Sequence, residues 1–165
     1  MTTVPGSPSG PGWKARVVVV SDGVADGSRE DRGGPVLRDA LEAAGAVVEA
    51  VVVSADGVGE VADTLRAQSE GFQGLIVTTG GTGFGPRDLT PEGTAQVIDR
   101  EAPGLAEAMR LVNPLGRLSR GIAGTIGPVL VLNVPGSPKG AVECLGAVVD
   151  IVPHALSLLA GDRPH

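Results

Sequence analysis

Aromatic side chains are nearly missing from this sequence, which has two Phe, one Trp and no Tyr among 165 residues. Proteins that bind single-stranded nucleic acid stack bases on aromatic rings, so the composition argues against that function. Basic residues are also in deficit, with 13 Lys and Arg against 19 Asp and Glu and a net charge of −6. A generally basic nucleic-acid surface is therefore excluded, although a local anion site is not.

Cysteine and histidine are scarce as well. The lone Cys144 cannot form an internal disulfide, and it offers no cluster for a metal. The sequence has no apolar run of about 18 residues, and its N-terminus lacks a charged and then apolar signal. We therefore expect a cytoplasmic protein with no membrane segment and with no haem, flavin or zinc.

What the sequence does contain is enough apolar residues, 42% of the total, for the core of one domain. Residues 1–13 are rich in Pro, Gly and Ser and are predicted to form a disordered tail. Residues 14–161 are predicted to form a single domain, with no internal repeat.

The apolar runs predict buried strands that alternate with helices. Predicted strands are Ala15–Val20, Ala46–Val53, Gly74–Thr79 and Pro128–Val134. Predicted helices lie near Pro35–Ala44, Val58–Ser69, Pro91–Arg100 (with Thr90 as N-cap) and Leu105–Leu111, and a last one runs from about Gly140 with a break near Pro153. This order indicates a three-layer α/β fold with a mostly parallel central sheet and helices on both faces.

Small polar residues follow every predicted strand. In α/β sheets, ligands bind beyond the carboxyl ends of the strands, where the strand order switches. Turn chemistry explains any one of these clusters, but less easily all four. The clusters are Ser21 and Asp22, Ser54 and Asp56, Thr78 to Gly81, and Asn133 to Ser137.

The segment TTGGTGFGPRDLTPEGT, residues 78–94, is typical of an anion-binding loop. Its glycines expose backbone N–H groups beside a helix N-terminus, and Thr79 and Thr82 can add hydroxyl donors. A turn that needs positive φ angles is the alternative explanation. The segment is not a Walker loop, because no Gly-Lys-Ser/Thr follows, and Pro86 breaks the GxGxxG pattern.

Two acids accompany this loop. Asp88 would repel a bound phosphate unless a cation stood between them, and Mg²⁺ is commonly held by one or two carboxylates plus phosphate oxygens. Asp56, after the neighbouring strand, is a natural second acid. The alternatives are a loop cap for Asp88 and an ordinary Asp-Gly turn for Asp56.

The segment GVGEVA, residues 57–62, fits GxGxxA and raises a second possibility, a dinucleotide-binding dehydrogenase domain. It follows the second strand, however, and no acid ends the next strand to bind a ribose. We interpret it as a chance match, and an effect of NAD(H) on thermal stability would be its test.

Four ordered motifs together resemble the MoaB/Mog molybdopterin-binding family, which includes one domain of gephyrin. The first is the glycine loop. The others are SDGVADGSREDRGGP, residues 21–35; LSRGIAG, residues 118–124; and NVPGSPKGAVECL, residues 133–145. The match spans about residues 14–161, and Val134 stands where Leu is usual.

The resemblance implies a molybdopterin adenylyltransferase, which converts molybdopterin and Mg-ATP into adenylyl-molybdopterin and pyrophosphate. It also implies a homotrimer, contacts with other molybdenum cofactor biosynthesis proteins, and catalytic, metal-binding roles for Asp56 and Asp88. Molybdopterin and phosphate would be bound by Thr79, Gly80, Gly81, Thr82, Gly83, Ser119, Arg120, Asn133, Pro135, Gly136, Ser137 and Pro138. Ser21, Asp22 and Asp31 would line the first loop of the pocket.

The same resemblance leaves an alternative function, because some MoaB-type proteins bind molybdopterin without a clear adenylylation role. Turnover of ATP distinguishes the two functions. The presence of both acids and the single-domain length favour the enzyme.

Overall fold

The computed structural model describes residues 12–162. Residues 1–11, most of the tail predicted to be disordered, lie outside the described part. Trp13 was also assigned to that tail, but its carbonyl accepts the Val47 N–H at 2.8 Å and its ring packs against the core.

Six strands and seven α-helices form the described part of the chain. The strands are β1 Lys14–Val20, β2 Val47–Ser54, β3 Gly74–Thr79, β4 Arg100–Glu101, β5 Ala123–Ile126 and β6 Val129–Val134. The helices are α1 Asp22–Ala25, α2 Gly33–Ala43, α3 Val58–Ser69, α4 Thr90–Ala95, α5 Pro103–Leu111, α6 Pro138–Gly146 and α7 Val152–Leu159. Two 3₁₀ helices, Pro114–Leu118 and Val149–Ile151, complete the set.

The strands form one sheet in the order β2-β1-β3-β6-β5-β4. The four strands β2, β1, β3 and β6 are parallel, which confirms the predicted fold class. The strand order switches between β1 and β3, because the chain adds β2 on one side of β1 and β3 on the other. A ligand crevice is expected at the carboxyl ends of those two strands.

Alternate residues of the central strands face opposite layers. Val17 and Val19 join the core beneath α2, α5, α6 and α7, whereas Val18 and Val20 join the core beneath α3. Because successive side chains of a strand point to opposite faces, a continuous valine run fits a sheet covered on both sides. The three predicted layers are therefore present.

The segment after the glycine loop differs from its prediction. The helix predicted to reach Arg100 ends at Ala95, because Arg100 instead pairs with Thr125 as part of the antiparallel β4–β5 ladder. Leu89, not Thr90, is the N-cap residue of α4. The Thr90 side chain is committed elsewhere, since its hydroxyl donates to the Gly80 carbonyl at 2.9 Å.

Within residues 12–162, no single helix is long and apolar enough to cross a membrane. The bent pair formed by Pro138–Gly146 and Val149–Leu159 meets the length and composition criteria when the two are taken together. Its apolar side chains, among them Leu145, Val152 and Leu156, are buried in the core beside the sheet.

Candidate active site

The glycine loop begins directly at the end of β3, and two of its residues require glycine. Gly80 and Gly81 have φ angles of +103° and +68°, where other residues are strained. A Cβ atom at Gly81 would also meet the Thr90 hydroxyl and lie 3.2 Å from Asp56 Oδ1. The bare backbone at Gly81 therefore preserves the space in front of the Asp56 carboxylate.

Hydrogen bonds fasten the start of this loop to the end of β6. The Thr79 hydroxyl donates to the Pro135 carbonyl at 2.8 Å, and the Gly80 N–H donates to the Val134 carbonyl at 3.2 Å. In this structure the Thr79 hydroxyl proton is engaged by the Pro135 carbonyl, and a phosphate-binding role for Thr79 stays a prediction. Thr79 joins the loop to the PGSPKG segment.

Asp22 and Asp56 hold each other at the ends of β1 and β2. The Asp22 N–H donates to Asp56 Oδ2 at 2.9 Å, and the Asp56 N–H donates to Asp22 Oδ1 at 3.1 Å. Arg87 reaches this pair from the glycine loop. Its Nε and Nη2 donate to the two Asp22 carboxylate oxygens, and Nη2 also donates to the Asp56 carbonyl at 2.8 Å.

The surroundings of the two acids shift their pKa values in opposite directions. The hydrogen bond from Arg87 lowers the pKa of Asp22 below its ordinary value. Burial raises the pKa of Asp56, and the nearby charges of Asp22 and Asp88 raise it further. Asp56 is thus a partly buried carboxylate facing other carboxylates, an environment that a bound cation would relieve.

Asp88 has the loop-capping contact that the sequence left as an alternative to metal binding. Its Oδ2 accepts the Gly85 N–H at 2.9 Å, and a Cβ at Gly83 would lie 3.1 Å from the same oxygen. The contact orients the carboxylate toward the inside of the loop. A capping contact at one oxygen does not exclude metal binding by the carboxylate.

Two cavities open on either side of the glycine loop. The helix-side cavity has a volume of about 550 Å³ and lies between the loop, α5, the 3₁₀ helix Pro114–Leu118 and α6. The switch-point cavity has a volume of about 630 Å³ and lies beyond the ends of β1 and β3. Four residues line both of them, Gly81, Asp88, Gly136 and Ser137.

The helix-side cavity has walls that were not among the predicted site residues. Met109, Leu115 and Cys144 give it an apolar lining, and Arg110 and Asn113 stand among them. Burial raises the pKa of the Cys144 thiol, with a smaller contribution from Glu143. The sequence could have indicated this wall, because Ala106 and Met109 have the spacing of a buried face in the helix predicted at residues 105–111.

The switch-point cavity contains Asp56 and Ser21, as expected, together with Arg29 and Arg32, which were not singled out. Both arginines belong to the charged run SREDR of the first loop, and their charges were not used in predicting the site. Asp31, between them, accepts the Gly34 N–H at 2.8 Å and so caps the start of α2.

Most of the predicted site residues line one or both cavities. Two do not, because Asp22 is occupied by Arg87, and Arg120 binds the outside of the glycine loop. Those in the helix-side cavity are Gly81, Thr82, Gly83, Asp88, Ser119, Asn133, Pro135, Gly136 and Ser137. Those in the switch-point cavity are Ser21, Asp31, Asp56, Thr79, Gly80, Gly81, Asp88, Gly136, Ser137 and Pro138.

Arg120 supports the site from outside the cavities, and Asn133, which lines the helix-side cavity, has its amide engaged within the protein. The Arg120 guanidinium donates to the carbonyls of Gly83 and Asp88 and pairs with Glu92. The buried Asn133 amide donates to the hydroxyls of Thr78 and Thr94, and its oxygen accepts the Ile122 N–H. The guanidinium of Arg120 and the amide of Asn133 are therefore both hydrogen-bonded within the protein.

Comparison with known proteins points to one family. The model of a probable molybdopterin binding domain matches residues 16–154. The molybdopterin adenylyltransferase of Escherichia coli K12 is 31% identical, over 88% of this chain and 84% of that protein. A molybdenum cofactor biosynthesis bifunctional protein from Chlorobaculum tepidum is 37% identical over 90% of this chain, but the chain spans only about half, 49%, of that relative's length.

The solved structures agree with the sequence relatives. The molybdopterin biosynthesis enzyme MoaB of Thermus thermophilus superposes with a TM-score of 0.84 at 46% identity. The match covers 91% of this chain and 98% of that one.

Proposed function

Because this chain belongs to the molybdopterin-binding domain family, we propose that it transfers the adenylyl group of ATP to molybdopterin. The terminal phosphate of molybdopterin attacks the α-phosphorus of ATP, and the bond from that phosphorus to the leaving pyrophosphate breaks. The observation that carries this proposal is the meeting of two cavities at Gly81, Asp88, Gly136 and Ser137. A reaction between the phosphates of two substrates needs such a junction.

The linings support a different substrate for each cavity. The helix-side cavity, with Met109, Leu115 and Leu118, suits a flat fused ring. The switch-point cavity, with Arg29, Arg32 and the glycine backbone, suits a triphosphate. We place molybdopterin in the first and ATP in the second, with the reacting phosphates at the shared residues.

Magnesium fits the acids of this site. Within the described residues, no group of three or more His, Cys, Asp or Glu side chains is arranged to hold a metal ion by itself. Mg²⁺ is commonly held by one or two carboxylates with phosphate oxygens completing its shell, and Asp56 and Asp88 supply such a pair. Bound there, Mg²⁺ would neutralise charge on the transferring phosphoryl group.

The site needs no strong general base. A phosphate monoester is largely ionised at neutral pH, so its oxygen attacks without losing a proton to the protein. His154, on α7, lies outside both cavity linings. The protein contributes position and charge, through the loop that Arg120 clamps and through the carboxylate of Asp56, which the Asp22 N–H orients.

The second candidate function is molybdopterin binding without chemistry. It is favoured by the Gly85 contact, because that contact gives Asp88 a structural use independent of any metal. The dehydrogenase interpretation has less support, since GVGEVA follows β2 at the edge of the sheet and residues 57–62 line neither cavity.

Single-turnover adenylylation tests the proposal. Purified protein is mixed with molybdopterin and Mg-ATP, and pyrophosphate and the AMP-linked pterin are measured. We expect product from the wild type and a loss of about 100-fold or more in Asp88→Asn, because one of two charged ligands at the reacting phosphates is removed. Asp63→Asn, at an exposed acid on α3, is the matched control and should retain activity.

Two results would contradict parts of this proposal. Bound molybdopterin without product under any metal or nucleotide condition leaves the binding function. Full turnover by Asp88→Asn removes the role assigned to that carboxylate.

The remaining expectations from the resemblance belong to the same proposal. A homotrimer would cover apolar side chains that are exposed in the single chain, such as Leu111, of which 78% is exposed. Light scattering with size-exclusion chromatography tests it. Contacts with other molybdenum cofactor biosynthesis proteins are supported by the bifunctional name of the Chlorobaculum relative, and we place the reaction in the cytoplasm.

A further inference from the structure

The helix-side cavity contains one carboxylate that the reaction as proposed does not use. Glu143 lies on α6 and lines the cavity, where its side chain is 33% exposed. It is six residues beyond Ser137, which lines both cavities. At 1.5 Å per residue, the two positions are about 9 Å apart along the helix axis, so a ligand that contacts both must be elongated.

Neighbouring side chains hold this carboxylate in place. The Asn113 Nδ2 donates to Glu143 Oε2 at 3.2 Å. The Asn113 amide is itself oriented, because its oxygen accepts the Leu115 N–H at 2.9 Å. Lys139 Nζ lies 3.8 Å from Glu143 Oε1 and is 87% exposed, so this ion pair is weak.

The chemistry around Glu143 matches one edge of a pterin. That edge presents two adjacent donors, the ring N3–H and the 2-amino group, and a carboxylate has two oxygens that accept in the same plane. Met109 and Leu115 provide apolar contacts for the faces of the ring. Asn113 uses one acceptor position of Oε2 and leaves the others for a ligand.

We infer that Glu143 is the residue that selects the 2-amino-4-oxo ring in the helix-side cavity, by accepting from its N3–H and 2-amino groups. This inference rests on the proposed function for the choice of ring. An ordinary i, i+4 pair with Lys139 on a helix surface is the competing explanation, and it predicts no ring selectivity.

Ring binding without ATP tests the inference. The full chain is titrated into 6-hydroxymethylpterin and, separately, into 6-hydroxymethyllumazine, which carries a carbonyl in place of the 2-amino group, and ligand fluorescence is followed. We expect the wild type to prefer the pterin by about 10- to 100-fold, because the lumazine carbonyl would face a carboxylate.

Substitution of the carboxylate sharpens the test. Glu143→Gln should reduce or reverse the preference, since its amide can donate to the lumazine carbonyl. Glu143→Asp should keep the pterin preference, with weaker binding. Glu107→Gln, at an exposed acid on α5 outside the cavity lining, should match the wild type.

An unchanged pterin-to-lumazine ratio in a folded Glu143→Gln variant would overturn the inference. So would a wild-type chain that shows no preference, including one that binds neither ring. Because the titration contains no ATP, failure of adenylylation leaves this result intact. Turnover combined with an unaltered ring preference would instead remove only the role of Glu143.

Discussion

The two cavities differ in how they are built. The switch-point cavity is formed by segments that directly follow buried parallel strands, so its residues Ser21, Asp56 and Gly80 are placed by the sheet. The helix-side cavity depends on α5, which packs against β5, β6 and α6, and on the 3₁₀ helix Pro114–Leu118, which packs against α5. The switch-point cavity therefore follows from sheet topology, whereas the helix-side cavity follows from helix packing.

The glycine loop is the boundary that the two cavities share, and changing it should affect both. Gly81→Ala places a methyl group against the Thr90 hydroxyl and 3.2 Å from Asp56 Oδ1. We expect turnover to fall by about 100-fold, since small displacements of reacting groups have effects of that size. Single-turnover rates and the binding of both substrates measure it.

Gly71→Ala is the matched control for that change. Gly71 has a similar φ of +65°, but a Cβ there would have no neighbour within 4 Å. Gly71→Ala should lose about 1–2 kcal/mol of stability from backbone strain, and Gly81→Ala should lose more, because its methyl group also meets the Thr90 hydroxyl; only Gly81→Ala should lose activity. Equal activity losses would show that general destabilisation, not the site, is responsible.

Changes confined to one cavity should separate the substrates. Arg32→Gln is expected to weaken ATP binding about three- to tenfold through loss of a positive charge, with pterin binding unchanged. Leu115→Ser should weaken pterin binding about two- to fivefold through loss of apolar contact, with ATP binding unchanged. Calorimetric titrations of each ligand test both variants, and an effect of either on the opposite ligand would argue against two distinct subsites.

The smallest predicted effect is the change in thermal stability caused by Asp56→Asn. Burial and the charges of Asp22 and Asp88 raise the folded-state pKa of Asp56, so the folded protein binds this proton more tightly than the unfolded chain. Stability is therefore lost as the pH rises through that pKa. Asp56→Asn removes the charge and keeps an oxygen that can accept the Asp22 N–H, so we expect its Tm to exceed that of the wild type by about 1–3 °C at pH 7.

The difference in Tm should shrink as the pH falls below the ordinary Asp value of 3.8, where the wild-type carboxyl is protonated in both states. Thermal melts in EDTA at several pH values provide the measurement. A variant less stable than the wild type at pH 7 would show that Asp56 is held by contacts that an amide cannot replace.

The sequence was informative where long apolar runs met glycine-rich turns. The continuous runs in β1, β3 and β6 predicted parallel strands, and the polar residues that follow them predicted the crevice. The strands β4 and β5 were missed because they have two and four residues and no long apolar run.

Two hydroxyls make contacts that the local sequence does not predict. Thr79 and Thr90 have hydroxyls suited to phosphate or to a helix cap, but each hydroxyl instead donates to a carbonyl brought close by folding. The contacts of Arg120 with the glycine loop span 37 residues of sequence, from position 120 to Gly83. Local motifs identify which residue types are present, and the tertiary fold decides which of their atoms remain available.

The short strand β4 has a consequence for how copies of this chain can associate. It consists of the exposed, charged residues Arg100 and Glu101, at the outer edge of the sheet beside β5. A strand from another molecule could form few backbone hydrogen bonds there, and charged side chains flank them. Extension of the sheet from one subunit to the next is therefore disfavoured at the β4 edge, which protects that edge from edge-to-edge aggregation.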